Sequence, residues 1–134
     1  MFVLDASIIG AVLIPDERGR TTWRLDDLLS AQAVVPLHAS LEVANLIAKA
    51  KRQRRISAEE ARQAHDLGKM ILAAVTIEHD LPADAVFRLA LSRNISFYDA
   101  DYVELAARSR LPLLAADRGM AKAALAEGVE LVAA

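Results

Sequence analysis

Short unbroken apolar runs alternate along the chain with segments in which apolar residues recur at helical spacing. The runs predict short strands buried on both faces of a sheet, at 2–4, 33–35, 75–77, 113–115 and 129–132. The other segments predict helices at 8–14, 21–30, 39–54, 57–73 and 80–94, with a turn at 16–19 and two more helices opening at Asp99 and Asp117. Strands alternating with helices over the whole length predict one α/β domain, residues 1–134, with a mostly parallel sheet.

Composition narrows the class of protein. A chain that is 54% hydrophobic but only 4% aromatic favours helices packed closely on a sheet over a β-sandwich. The absence of cysteine excludes disulfides, thiol catalysis and cysteine-ligated zinc, and a reducing cytoplasm is the expected location. The apolar run at 8–14 is too short to span a membrane, so we expect no membrane association. A net charge of -2 means that nucleic-acid binding would need a local basic patch.

Aspartates stand where helices are predicted to begin. Asp5 and Asp117 follow predicted strands directly, and Asp99 opens a helix. Each could be an N-cap worth about 1 kcal/mol. In parallel sheets, however, ligands bind just beyond the carboxyl ends of the strands, and acids gathered there would be functional. Capping alone therefore leaves the role of these aspartates open.

Glu42 weighs against the capping interpretation, because it lies inside a predicted helix where no cap is needed. A solvated surface glutamate is the common alternative. The segment 40–48 around it is otherwise poor in charge, which favours a glutamate facing a partner group. If the four acids converge, their repulsion calls for a cation. Carboxylates alone suit Mg²⁺ or Mn²⁺, and the scattered His38, His65 and His79 argue against zinc. Such a pocket suits metal-assisted phosphodiester hydrolysis.

Four segments in order carry a family resemblance. They are Val3-Leu4-Asp5-Ala6-Ser7, Pro36 with Leu41-Glu42-Val43-Ala44-Asn45, Tyr98-Asp99-Ala100-Asp101-Tyr102-Val103-Glu104-Leu105-Ala106, and Pro112-Leu113-Leu114 with Ala116-Asp117. Together they resemble a PIN domain and, more narrowly, the VapC-type toxins of bacterial and archaeal toxin–antitoxin pairs. The resemblance covers nearly the whole chain.

The resemblance implies a three-layer α/β/α domain that binds Mg²⁺ or Mn²⁺ and cuts single-stranded or structured RNA. Asp5 and Asp99 would be the main metal ligands, and Glu42 and Asp117 would complete the catalytic pocket. Ser7 would hydrogen-bond a ligand carboxylate or a water, and Asn45 would support Glu42. A cognate antitoxin and a homodimer are the implied partners, with early helices helping to form the antitoxin groove.

Two positions depart from the family pattern. Ala115 stands where the family often has threonine, so one hydroxyl near the pocket is missing. Asp101 is an extra acid, but residues two apart on a helix point to different sides. We therefore expect Asp101 to be favourable first-turn charge at the helix N-terminus and not a ligand.

Cationic residues suggest phosphate contacts. Five lie together at 49–55, namely Lys49, Lys51, Arg52, Arg54 and Arg55. They are either a solvated charge run at a helix C-terminus or a surface for RNA phosphates or an acidic partner tail. Arg118, next to Asp117, would be better placed for a phosphate.

Other functions remain open at the level of sequence. The acids could be caps or a vestigial pocket in a PIN-fold binding module, or the chain could be a non-toxin PIN nuclease in RNA turnover. A phosphoacceptor receiver domain is disfavoured. It would need paired acids after the first strand and a lysine after a late one, whereas Asp5 is single and Asp117-Arg118 follows the 113–115 strand.

Overall fold

The fold is built on a four-stranded sheet in a computed structural model that describes all 134 residues. The strands are β1 (Phe2–Leu4), β2 (Ala33–Pro36), β3 (Thr76–Glu78) and β4 (Leu113–Leu114). Their order across the sheet is β3-β2-β1-β4, and every pairing is parallel. The prediction of an α/β fold with a parallel sheet is confirmed.

Seven α-helices surround the sheet: α1 (Ala6–Leu13), α2 (Leu25–Ser30), α3 (Ala39–Arg52), α4 (Ala58–Ala74), α5 (Ala83–Arg93), α6 (Phe97–Ser109) and α7 (Arg118–Ala126). Helices α1 to α4 pack together. On the other side, α6 packs across β1, β2 and β4, with α5 and α7 beside it. The result is the expected three-layer α/β/α arrangement.

The segment after α1 differs from the prediction of a turn at 16–19 and a helix from residue 21. A 3₁₀ helix spans Pro15–Arg20, because proline opens a helix readily at its first position. Thr21 is then extended, and its Oγ1 accepts a hydrogen bond from the Trp23 backbone N–H. Helix α2 therefore starts only at Leu25, where Asp27 accepts from the Arg24 N–H.

The strand predicted at 129–132 is wrong. This segment forms only an isolated parallel bridge, between Leu131 and Leu113 of the edge strand β4. The residues just before α2 instead hold the end of this segment through hydrogen bonds. There the Trp23 indole N–H donates to the Ala133 carbonyl at 2.9 Å, and the Thr22 N–H donates to the Ala134 carbonyl at 2.6 Å.

The start of α6 also differs from the prediction. Ser96 caps it, accepting the Asp99 backbone N–H on its Oγ at 3.0 Å, so the helix begins at Phe97. Asp99 therefore lies in the first turn and is not a cap. Its carboxylate is free of the capping role.

The run at 8–14 belongs to the core, since all seven residues are buried. It is therefore unavailable as an exposed partner surface. Gly10 allows α1 and α3 to approach closely, because a Cβ there would meet Leu46 Cδ1 at 3.0 Å. This contact sets the distance between the helices that follow Asp5 and contain Glu42.

Candidate active site

Four carboxylates lie at the carboxyl edge of the sheet. Asp5 follows β1, Asp117 follows β4, and Glu42 lies near the start of the helix after β2. Because β2, β1 and β4 are adjacent parallel strands, their carboxyl ends meet at one edge. Helix α6 packs over these three strands and brings Asp99 to the same edge. The pKa of Asp5 is raised in part by the charges of Glu42 and Asp99, and that of Asp99 by Asp117 and Glu42.

Asp5 is the most deeply buried of the four, with 3% of its surface exposed. Burial is the main reason that its pKa rises to about 6, and two contacts with Ser7 oppose the rise. The Ser7 backbone N–H donates to Oδ1 at 3.2 Å, and the Ser7 hydroxyl donates to Oδ2. Asp5 thus caps α1 and is held by the serine hydroxyl that the sequence pointed to.

Asp99 is half-buried, and its carboxylate receives little stabilisation beyond a hydrogen bond with Ser96. Burial raises its pKa most, followed by the charges of Asp117 and Glu42, while Ser96 and His38 oppose the rise. An acid in this setting is poorly compensated by the protein itself. A cation bound beside Asp99 would relieve the repulsion from Asp117 and Glu42.

Glu42 is held by two side chains that bind the same oxygen. The Tyr102 hydroxyl donates to Oε1 at 2.8 Å, and His38 Nδ1 lies 2.5 Å from Oε1. The pKa of Tyr102 lies well above its usual value, chiefly through burial and then through the charge of Glu42, so the phenol stays protonated. Asn45 is exposed and makes no hydrogen bond to Glu42, so it does not support Glu42 as expected.

Asp101 does not lie in the first turn of its helix as predicted, because α6 already begins at Phe97, and only 4% of the Asp101 surface is exposed. Helix α6 crosses the sheet so closely that every residue from Ala100 to Ala106 is buried. The carboxylate of Asp101 meets His38 Nε2 at 3.0 Å. His38 therefore bridges Asp101 and Glu42.

The His38 ring lies between these two acids, with both of its nitrogens buried. Its nitrogens lie within ion-pair distance of both carboxylates but are not aligned as hydrogen bonds. Burial lowers the pKa of His38, but Asp101 and Glu42 outweigh it and raise the pKa to about 9. The sequence interpretation missed His38 and Tyr102. The one available signal was the spacing of four between His38 and Glu42, which places both on one side of α3.

Asp117 is exposed at the rim of the pocket. Its Oδ2 accepts the Met120 N–H at 2.7 Å and so caps α7. Gly119 makes room for this bend, because a Cβ there would lie 3.2 Å from the same oxygen. The other oxygen, Oδ1, makes no hydrogen bond and remains available to the pocket.

Four helices, α1, α3, α6 and α7, begin at this edge, and their positive ends favour anions there. Arg118 is exposed in the first turn of α7. The basic run at 49–55 lies at the other end of α3, about 15 Å from Glu42 at 1.5 Å per residue. Within it, Arg55 already pairs with Asp16 at 3.3 Å. Arg118 is therefore the cation nearest in sequence to the acids.

No group of three or more histidine, aspartate or glutamate side chains is arranged to hold a metal ion unaided. None of the helices is both long and apolar enough to cross a membrane.

Comparisons with known proteins agree with this geometry. The family described as the PIN domain matches residues 2–125. The chain is 33% identical over 122 residues to Ribonuclease VapC3 of Pyrobaculum aerophilum, covering 90% of this chain and 92% of that protein. Exonuclease VapC9 of the same organism is 40% identical over 50 residues, 37% of this chain and 38% of that protein. The crystal structure of PAE2754 from P. aerophilum has a similar fold, with a TM-score of 0.73 and 23% identity over 91% of this chain and 83% of that one.

Proposed function

Because the chain belongs to the PIN domain family, and within it to the VapC type, we propose that it is a Mg²⁺- or Mn²⁺-dependent endoribonuclease. It hydrolyses phosphodiester bonds of single-stranded RNA and acts as the toxin of a toxin–antitoxin pair. The observation that carries this proposal is the meeting of Asp5, Glu42, Asp99 and Asp117 at one sheet edge. Two curated relatives named as a ribonuclease and an exonuclease support the nuclease class.

The donor set fits a hard, hydrated cation. Mg²⁺ keeps several waters and needs only one or two protein carboxylates, so an incomplete cage is what it uses. Asp5 and Asp99, whose raised pKa values reflect burial and neighbouring negative charge, would hold it. When bound, the cation supplies Lewis acidity to the phosphate and lowers the pKa of a water. Its charge would also relieve the repulsion among the carboxylates.

The other two acids serve proton transfer and positioning. Oε1 of Glu42 is occupied by Tyr102 and His38, so Oε2 is left to accept a proton or orient the attacking water. Asp117 extends the acidic surface to the pocket rim, where the helix N-termini of α6 and α7 favour an incoming phosphate.

An exposed aromatic ring beside the pocket supports a single-stranded substrate. Tyr98 directly precedes Asp99, and 60% of its surface is exposed. Edge contacts with His38 at 5.3 Å and Phe97 at 6.5 Å between ring centroids hold the ring in one orientation. An unpaired base can stack on such a ring, whereas a base inside a duplex cannot.

The test is cleavage of single-stranded RNA by the purified chain, free of antitoxin, with Mg²⁺ or Mn²⁺. We expect the parent to cut internally and Glu42→Gln to be strongly impaired. A parent that cuts no RNA with either metal would overturn the nuclease proposal and favour a binding module. Equal activity in both proteins would leave the nuclease but refute Glu42 as part of its site.

Arg118 is proposed to bind a substrate phosphate. In a salt titration, we expect Arg118→Ala to weaken RNA affinity and to reduce the slope of log K against log salt by about 0.7, the value for one phosphate contact on a single strand. Arg52→Ala, in the distant basic run, is the matched comparison and should change both quantities less. Unchanged affinity and slope in Arg118→Ala would remove this contact.

The proposed partners are a cognate antitoxin and a second copy of the chain. Exposed apolar residues support an interface of this kind, namely Leu37 before α3, Leu41 in its first turn, and Phe87 with Leu91 one turn apart on α5. Growth arrest on expression, relieved by a copurifying small protein, would support the toxin role. A nuclease that causes no arrest would instead point to RNA turnover. Sedimentation would measure the oligomeric state.

A further inference from the structure

We propose that His38 and Tyr102 form a clamp on Glu42 that aims its free oxygen into the pocket, which makes both of them positioning residues. This inference rests on the proposed nuclease function, because it assigns Glu42 Oε2 as the working atom.

Tyr102 links Glu42 to the backbone beside Asp5 through two hydrogen bonds. Tyr102 is fully buried, and its hydroxyl accepts the Ala6 N–H at 3.3 Å while donating to Glu42 Oε1 at 2.8 Å. Ala6 directly follows Asp5 at the start of α1. One phenol oxygen thus fixes the position of the carboxylate on α3 relative to the backbone that carries the central aspartate.

His38, the N-cap residue of α3, approaches the same oxygen from the start of that helix. Nδ1 of His38 lies 2.5 Å from Glu42 Oε1, and Nε2 lies 3.0 Å from Asp101. The ring is wedged edge-on between Tyr98 and Tyr102, with centroids 5.3 Å and 5.2 Å away. Asp101 therefore sets the orientation of the ring, and the aromatic rings prevent it from turning.

Both side chains meet Oε1, and Oε2 makes no hydrogen bond or ion pair with the protein. A carboxylate restrained through one oxygen presents the other in a fixed direction. A purely structural ion pair would also hold His38, Asp101 and Glu42 together. It would not require that catalysis depend on which nitrogen of residue 38 is retained.

The two nitrogens of His38 can be replaced separately. The amide nitrogen of asparagine can take the place of Nδ1, and that of glutamine the place of Nε2. We expect His38→Gln to keep the Asp101 contact, lose the Glu42 contact and lower kcat by about 10- to 100-fold with little change in KM. His38→Asn should recover much of this loss. His65→Gln, an exposed histidine on α4, is the matched control and should behave as the parent.

A second measurement needs no metal and no activity. Urea unfolding in EDTA gives the unfolding free energies of four proteins, which form a double-mutant cycle: the parent, Tyr102→Phe, Glu42→Ala and the double variant. We expect the double variant to lose less stability than the two single losses added together, since both remove one contact. Equal kcat in His38→Gln and His38→Asn, or additive losses of unfolding free energy, would overturn the clamp. An inactive parent with a coupled cycle would instead overturn the nuclease function and with it the positioning role.

Discussion

Asp5→Asn is expected to lower kcat/KM for RNA cleavage about a thousandfold while making the metal-free protein more stable at pH 8. The loss of activity would follow from removing a proposed metal ligand at the centre of the acidic edge, a change worth several kcal/mol of transition-state stabilisation. The gain in stability follows from removing a buried charge that other carboxylates repel. Asparagine can still cap α1, so the helix should persist.

The direction of the stability change follows from how the Asp5 carboxyl group titrates. The pKa of Asp5 is raised from 3.8 to about 6 on folding, so the folded state binds the proton more tightly. Stability from this group is fully present below pH 3.8 and is lost as the pH rises through 6. At 1.36 kcal/mol per unit, the loss is on the order of 3 kcal/mol for this nearly buried group.

The measurement is urea unfolding in EDTA between pH 4 and pH 8, comparing the parent with Asp5→Asn. The difference in unfolding free energy should grow in favour of the variant from pH 4 to pH 7. Asp84→Asn, an exposed change in the first turn of α5, should show no such trend. A variant that is less stable than the parent at every pH would contradict the account of Asp5.

Removal of divalent cations is expected to abolish cleavage, and their return to stabilise the fold. At a Mg²⁺ concentration 100 times the dissociation constant, binding to the folded state adds about 2.7 kcal/mol. Calorimetry would record this as a rise in Tm for the parent and a much smaller rise for Asp99→Asn. Asp66→Asn, an exposed acid on α4, is the control and should respond as the parent. An equal rise in Tm for Asp99→Asn would place the cation elsewhere.

The acids at the sheet edge could be predicted because they depend on order along the chain. Short apolar runs and helical stripes define the parallel sheet, and the residue after each strand then falls at one edge. Asp5 and Asp117 follow from this rule alone. Glu42 could be singled out because it is a lone charged residue in a segment that is otherwise poor in charge.

The partners of Glu42 could not be predicted because they depend on how α6 crosses the sheet. Tyr102 lies 60 residues from Glu42, and their contact exists only once the two helices pack. Asp101 was misjudged for the same reason. The dipole of its own helix does not reveal the neighbouring N-terminus of α3, where His38 meets Asp101. The strand predicted at 129–132 does not form, because the backbone carbonyls of the last residues accept hydrogen bonds from Thr22 and Trp23.

The helix N-termini at the acidic edge would link the two proposed ligands of the pocket, the divalent cation and the RNA. Without a cation, the negative charge of the carboxylates offsets the positive potential of the helix ends, and the edge repels an RNA phosphate. With a cation bound, the net electrostatic potential at the same edge would attract the phosphate. Each ligand should therefore raise the affinity of the other by the same factor, as thermodynamic reciprocity requires. RNA would then bind tightly only to the metal-loaded protein, so that substrate recognition itself depends on the cation.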